Sequence, residues 1–596
     1  MAFKRKNVCL DTGGSDVDAH LHRTGGAMQN IADGNSYSRW STEEEITSFL
    51  YKIKLDDRKP HPGGIPLFAD SDSVYIDTSD SHSLVIGSTG SKKTRLIGMP
   101  ALQIYAEAGE SFVVIDPKAE LYERTLPLLK QQKYKTFVLN LRDPPQSDGW
   151  NPLIIPFRLY RGGQRDKATE LIRDMANCIV KQGYYYREPY WINSAANLLT
   201  GLLLILFECA QEKEINLKSL RALKTEAFKI ASDNSRSDNS APYIREHFLQ
   251  YVNSSSFVNS LLSGTVNVCD TTRGCIVSEF DQAMEPFFSQ DNLVDLLSGN
   301  DLDMAKIGRK KTAVFLIIPD GNTVYNCLIS VFVKQCYAQL IIEAQKRPYK
   351  ALYRRVNFLL DEFASLPSIA DFPSMITASR SRGIRFCLMV QSVKQLEAKY
   401  GIYTEAIKGN CENWVILHSR ERELLAEIAE ICGKNADDEP LVSMTLLQTL
   451  DKGKGEAFVL HKRERPFIAR LPDINRYHVY SADKKTLRYP RNKHKADAVF
   501  DFKDFCHSKG ELFMTKLFSG KTLDEIQKEC DEDDGAYYMT NEDMIQEPIF
   551  TVQLPQEEEQ PDSSYENMPI PQETKVKVSL LERIKEAARN VFKGKE

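Results

Sequence analysis

The residues of "SLVIGSTGSKKTRLIG", Ser83 to Gly98, have the types and nearly the spacing of a loop that wraps phosphate. Leu84, Val85 and Ile86 run into Gly87, and Lys93 and Thr94 stand where an apolar helical stretch begins. Such a loop needs glycines so that backbone N–H groups close on the anion. It needs a lysine at the junction to reach the β and γ phosphates, and a neighbouring hydroxyl for magnesium. Gly87, Gly90, Lys93 and Thr94 meet these demands, with Ser88, Thr89 and Ser91 completing the loop. The pattern G-x-x-x-x-G-K-[ST] has its second glycine where this chain has Lys92, and a side chain there is expected to crowd the loop.

A second group of residues strengthens the first. "VNFLLDEF" is an apolar run ending in Asp361 and Glu362. An acidic pair at the carboxyl end of a buried strand can hold magnesium with its first carboxylate and activate water with its second. Acids also favour a solvated helix N-terminus, which is the plain alternative. Both halves on strands of one parallel sheet predict a nucleotide site.

Three further features fall at predicted strand ends, where open α/β sheets face their ligands. Asp116 and Lys118, in "VVIDPK", read as site groups or as a turn-forming acid and a solvated lysine. Gln391, in "LMVQS", reads as a γ-phosphate sensor or a turn-capping amide. Arg380, Arg382 and Arg385, in "ASRSRGIR", offer an arginine that reaches a neighbouring subunit's nucleotide, or surface ion pairs.

The elements that must position these groups alternate in the manner of a parallel sheet. "SLVIG", "SFVVID" and "KTFVLNL" read as strands, separated by helical stretches. Pro127 is expected to kink the second helix or start a new turn. From about Asp166 to Asn300 the periodicity is almost wholly helical, which predicts an all-α insertion. Strands return at "KTAVFLIIPD", "RVNFLLDEF", "RFCLMVQS", "NWVILHS" and "GEAFVLHK". The predicted organisation is a loosely ordered arm over 1–60, a nucleotide-binding part over 61–165, the helical insertion over 166–300, a second nucleotide-binding part over 301–480, and an acidic, partly disordered tail over 481–596. In the arm, Ser41 and Glu44 predict a capping box for one short helix. The tail is acidic and Pro-rich, and ends in an amphipathic stretch with a capping box at Ser579 and Glu582.

The bulk numbers bound the function. With 596 residues the chain is long enough for about four domains. A net charge of -5 excludes a general polybasic coat but not a local basic surface. None of the 12 cysteines forms a C-x-x-C pair, which leaves no metal-ligand spacing and points to free thiols in a reducing cytosol. The start, "MAFKRKNVCLDTGGSD", has no apolar core of a signal peptide. "NLLTGLLLILFECA" reads as a buried core helix, because its apolar run falls short of the roughly 20 residues that span a bilayer.

In the order "GSTGSKKTR", "VVIDPKAELY", "GWNPL", "REPYWINSAANLLTGLL", "TAVFLIIPD", "FLLDEFASLPSIADF", "ASRSRGIR … QS" and "GNCENWVILHSRERELLAEIAEICG", the chain resembles the type IV coupling proteins of the TraG/TraD group. The likeness runs from about Ser83 to Leu471. It implies an α/β fold, a RecA-like P-loop NTPase with a parallel-core sheet interrupted by an inserted all-α domain. It further implies ATP and Mg2+ as cofactors, with hydrolysis of ATP. The implied partners are DNA, bound without sequence preference as one or two strands, a relaxase, type IV secretion channel subunits, and five further copies in a homo-hexamer. Carried over by motif, Lys93 and Thr94 fall at the nucleotide loop, Asp361 and Glu362 at the magnesium and water-activating positions, Arg380 at the trans arginine and Gln391 at the sensor.

Two departures from the family stand out. Its members usually begin with transmembrane helices, so a cytoplasmic chain that reaches the membrane only through partners is expected here. Lys92 puts the rate of hydrolysis in question, which keeps open a docking receptor without turnover and a general DNA translocase. "KQGYYYREPYW" offers a DNA-contacting mix of cations and aromatics, or helix-packing residues.

Overall fold

The computed structural model describes residues 37–55, 59–181, 188–229, 241–249, 256–319, 323–477 and 488–509. All belong to one compact unit, Met1–Thr515. Most of the arm, most of the YYY stretch, and the tail apart from 488–509, including its terminal amphipathic stretch, lie outside these residues. Within 488–509 the expected loose tail is instead packed, with Phe500 and Phe502 buried in the main core.

The first described element is the helix Glu43–Phe49. Its N-cap is Thr42, and its capping-box partner is Glu45, one residue later than the Ser41 and Glu44 expected. Ser41 is engaged elsewhere: its hydroxyl donates to the Arg465 carbonyl at 2.7 Å. Three short strands follow that sequence reading missed: β1 (Tyr51–Lys54), β2 (Ile65–Ala69) and β3 (Ser73–Asp77). They form a small antiparallel sheet with β3 in the centre.

Among the described residues the main sheet has nine strands: β4 (His82–Ile86), β5 (Ser111–Ile115), β6 (Lys135–Asn140), β7 (Thr312–Ile317), β8 (Val356–Leu360), β9 (Ile384–Val390), β10 (Cys411–Ile416), β11 (Glu456–His461) and β12 (Phe467–Arg470). Their spatial order is β12-β11-β10-β4-β9-β8-β5-β7-β6. The seven strands from β10 to β6 pair in parallel, while β11 and β12 turn back antiparallel at one edge. The parallel strands are apolar runs because both faces are covered. Successive side chains alternate between two cores, as the pleat requires. Leu84, Ile86, Val113 and Ile115 enter the core shared with the long helices, whereas Val85, Phe112 and Val114 enter the other.

Helices fill the interval between β6 and β7, from Ile154–Arg161 to Asp291–Leu296. A backbone bridge between Trp150 and Asn300 closes the root of this interval. Pro127 lies inside the continuous helix Glu120–Gln131. The central helix of the interval, Pro189–Cys209, begins earlier than its apolar core suggested. It and Asn326–Gln345 are long and apolar enough to cross a membrane by length and composition, yet 72% of each apolar window is buried inside the protein. They are core helices packed against one another's neighbours.

Candidate functional site

The carboxyl ends of β4, β5, β8 and β9 converge on the phosphate-loop residues. Gly87 follows β4 and its N–H donates to the Val390 carbonyl at the end of β9, at 3.1 Å. Ser88 N–H donates to the His418 carbonyl beyond β10, at 2.9 Å. The loop is therefore framed on both sides by neighbouring strands. A Cβ on Gly87 would lie 2.5 Å from Ser91 Oγ and 3.2 Å from the Leu417 Cβ, so a larger residue there would force Ser91 to shift. Gly90 takes φ +78, in the left-handed region that suits glycine.

Lys92 also takes a left-handed backbone, with φ 67. It adopts the conformation for which glycine is the usual residue, at a cost of roughly 1 kcal/mol. It is half-buried; the hydrogen bond from Arg95 holds the Asp473 carboxyl low, and the Lys92 charge adds a little to that. The next residue, Lys93, is buried and donates from Nζ to the Gly87 carbonyl at 2.5 Å. Burial pushes its pKa down, and the charges of Asp361 and Glu362 push back.

Thr94 Oγ1 donates to Asp361 Oδ2 at 3.2 Å. Asp361 is buried at the end of β8, and burial holds its carboxyl above the usual range, against the pull of Lys93. Glu362 has φ 53, a left-handed conformation uncommon outside glycine and characteristic of functional sites. Its N–H donates to Asp361 Oδ1 at 3.0 Å, which fixes the acid pair at the turn. After Thr94 the chain makes a π-helical turn, Thr94–Gly98, a form that often marks function.

Gln391 directly follows β9, which lies between β4 and β8. Its Oε1 accepts from Thr89 Oγ1 at 3.1 Å, so the amide touches the loop itself. Asp116 directly follows β5; its Oδ2 accepts from Tyr122 N–H at 2.8 Å and so caps the start of the next helix. Burial raises its pKa to about 7. Lys118 is exposed.

The arginines lie elsewhere. Arg380 precedes β9, at the amino end of the sheet, and pairs with Glu412 at 2.6 Å. It does not join the phosphate loop of its own chain. Arg385 is a buried residue of β9 that holds Glu110 and Asn357. It is a structural tie, because a guanidinium inside a strand is kept by its paired acid and amide.

Sequence reading missed two supports. Arg95, just past Thr94, forms a fork on Asp473, with Nε and Nη2 at 2.8 and 2.5 Å. Asp473 follows β12 and no local signal ties it to the loop. Ser88 Oγ lies 3.3 Å from His418 Nδ1. The polar end of "NWVILHS" resembles the other strand ends and was the available hint.

The arrangement suits a nucleotide with a divalent cation. Ser91 Oγ is buried without a hydrogen-bond partner beside the loop, a group ready to donate. The oxygens of Thr94 and Asp361 are 3.2 Å apart, close to the about 2.9 Å between adjacent ligands of an octahedral magnesium. The acidic group Glu170, Asp174 and Asp371 is different, because Lys334 Nζ sits among the three at 3.9, 3.4 and 2.8 Å.

Residues 43–451 match the family described as type IV secretory system conjugative DNA transfer. The chain belongs to this family. The matched span is more than half of its length. Among solved structures, the fold is similar to plasmid coupling protein TrwB in complex with ADP and Mg2+, with a TM-score of 0.51 and 16% identity over 73% of this chain and 94% of that one. TrwB in complex with the non-hydrolysable ATP analogue ADPNP gives a TM-score of 0.50 and 16% identity over 78% and 99%. The trigonal form of TrwBdeltaN70 with sulphate gives 0.51 and 17% over 77% and 96%. These likenesses establish the fold as a RecA-like P-loop NTPase. No curated protein matches the sequence significantly.

Proposed function

We propose that this member of the conjugative DNA transfer family is an ATP-dependent coupling protein that recruits a relaxase–DNA complex and drives its DNA toward a type IV secretion channel. The observation that carries the nucleotide reading is the 3.2 Å contact between Thr94 and Asp361, with Lys93 buried beside them. TrwB's complexes with ADP, Mg2+ and ADPNP support the same reading.

The residues divide the work. Gly87, Ser88, Thr89, Gly90 and Ser91 turn backbone and side-chain donors toward the β phosphate. Lys93 exchanges the Gly87 carbonyl for phosphate oxygens, and desolvation strengthens its grip. Thr94 and Asp361 would hold magnesium, which would supply positive charge against the phosphate oxygens. Glu362 orients and deprotonates the attacking water. Gln391, already on Thr89, relays the state of the γ phosphate. Arg380 acts on a neighbouring subunit's nucleotide in a homo-hexamer, because its own lies at the other end of β9.

We favour turnover over mere docking because Lys92 takes the left-handed backbone that suits glycine at this position of the loop. Phosphate release by purified protein, with and without single-stranded DNA, tests this reading. DNA-stimulated release that Lys93→Ala abolishes is the expected result. Binding of ATP with no release under either condition would leave only a nucleotide-dependent receptor.

A further inference from the structure

The amino ends of the same parallel strands carry a different chemistry. The segments leading into β7, β8 and β9 meet there. Arg354 N–H donates to the Gly308 carbonyl at 3.0 Å, and Leu352 N–H to the Arg382 carbonyl at 2.9 Å. Arg382 Nη1 donates to the Lys350 carbonyl at 2.9 Å. These bonds gather the cations of "GRKKT", "QKRPYKALYRR" and "SRSRG" onto one edge.

The acids of this edge are already matched. Glu343 takes a fork from Arg309 at 2.6 and 2.5 Å and lies 3.5 Å from Arg347. Glu110 pairs with Arg355 at 3.0 Å and with Arg385. Lys310, Lys346 and Lys350 are exposed and, among the described residues, take part in no ion pair. Local positive charge thus accumulates on a chain whose net charge is -5.

Two phenol rings stand among these cations. Tyr349 is 92% exposed and Tyr353 is 69% exposed. Arg347 lies over the Tyr353 ring, 5.5 Å from its centroid. Unpaired lysines suit a polyphosphate better than a protein face, where lysine is depleted. Exposed rings between them suit bases that stack in succession.

We propose that this amino-end surface binds a single nucleic-acid strand, with phosphates on Lys310, Lys346 and Lys350 and bases on Tyr349 and Tyr353. The proposal rests on the DNA-handling reading above. It names a surface separate from the phosphate loop, across strands that span roughly 20 Å.

Fluorescence anisotropy of the full chain with a labelled oligodeoxythymidine, at several salt concentrations, tests it. Lys346→Glu with Lys350→Glu should flatten the slope of log affinity against log salt by about 1.4, at about 0.7 per phosphate contact. Tyr349→Ala with Tyr353→Ala should weaken binding at least about tenfold with the slope unchanged, because stacking is not ionic. Tyr349→Phe with Tyr353→Phe should bind as the parent does. ADP affinity should not move in any variant. Parent-like affinity and slope in the charge and alanine variants, with the parent chain binding the strand, would exclude this surface alone. Loss of self-association in the lysine variants with unchanged strand affinity would reassign it to contacts between copies. A parent chain that binds no strand while still binding ADP would remove the DNA reading and this proposal together, leaving the nucleotide site standing.

Discussion

Thr94 Oγ1 reaches Asp361 Oδ2 at 3.2 Å although 267 positions separate them in the chain. The contact exists because β9 is the only strand between β4 and β8, so the ends of all three lie side by side. Everything proposed for nucleotide chemistry depends on that adjacency.

Lys93→Ala should abolish MgATP binding in a calorimetric titration, with the fold retained by circular dichroism. The ammonium is the buried cation between the Gly87 carbonyl and the two acids, and its loss leaves those acids unopposed. An unchanged affinity would remove the phosphate-loop assignment.

Glu362→Gln should bind ATP normally and release phosphate about 10²-fold or more slowly, the usual effect of losing a general base. The amide keeps the shape of the turn but cannot accept a proton. Single-turnover kinetics would separate this from slow product release, and ordinary turnover would overturn the role.

Lys92→Gly should keep turnover and stabilise the protein by about 1 kcal/mol, since glycine takes φ 67 without strain. Lys92→Val should do the reverse, because a branched Cβ tolerates that backbone poorly. Melting temperatures of the two variants should straddle that of the parent chain; a higher value for the valine variant would contradict the backbone argument.

Arg380→Ala should leave nucleotide affinity intact and lower turnover only in assembled protein. Mixing it with Glu362→Gln should restore part of the activity, because one interface of a mixed assembly then holds both groups. Equal loss at every mixing ratio would place the arginine's effect within its own chain.

Acid should weaken the fold through His82. Its Nδ1 accepts the Phe386 N–H at 3.0 Å, and its Nε2 lies 2.8 Å from the Ile376 carbonyl. Only the neutral ring satisfies both, and burial lowers the pKa from 6.5 to about 4. As pH falls below 6.5 the unfolded chain takes up the proton first, so stability is lost between 6.5 and about 4. His461, also lowered to about 4, adds to the same slope. Asp116 acts oppositely, because its folded form keeps a proton up to about 7. Thermal melts from pH 7 to pH 5 should fall, and His82→Asn should flatten the fall.

The site was legible in part because its pieces are local. A phosphate loop is a short run whose composition states its task, and an apolar strand that ends in two acids does the same. What stayed hidden depended on distant packing. Asp473 lies 378 positions from Arg95 and looks like an ordinary turn acid. Glu412, which holds Arg380, sits on another strand. The helix cap fell on Thr42 instead of Ser41 because Ser41 is drawn to a carbonyl 424 positions away.

By itself, the sequence determined the strands and helices of the α/β core, the identity of the loop, and the family likeness, since periodicity and short-range spacing carry them. The tertiary structure alone decided the strand order, the antiparallel edge of β11 and β12, and the separation of arginines from the loop. It also gathered the cations of three segments, and the two tyrosines of one of them, onto one edge. Those outcomes come from long-range pairing, in which the best burial of two faces of one sheet chooses neighbours that no local run of residues can name.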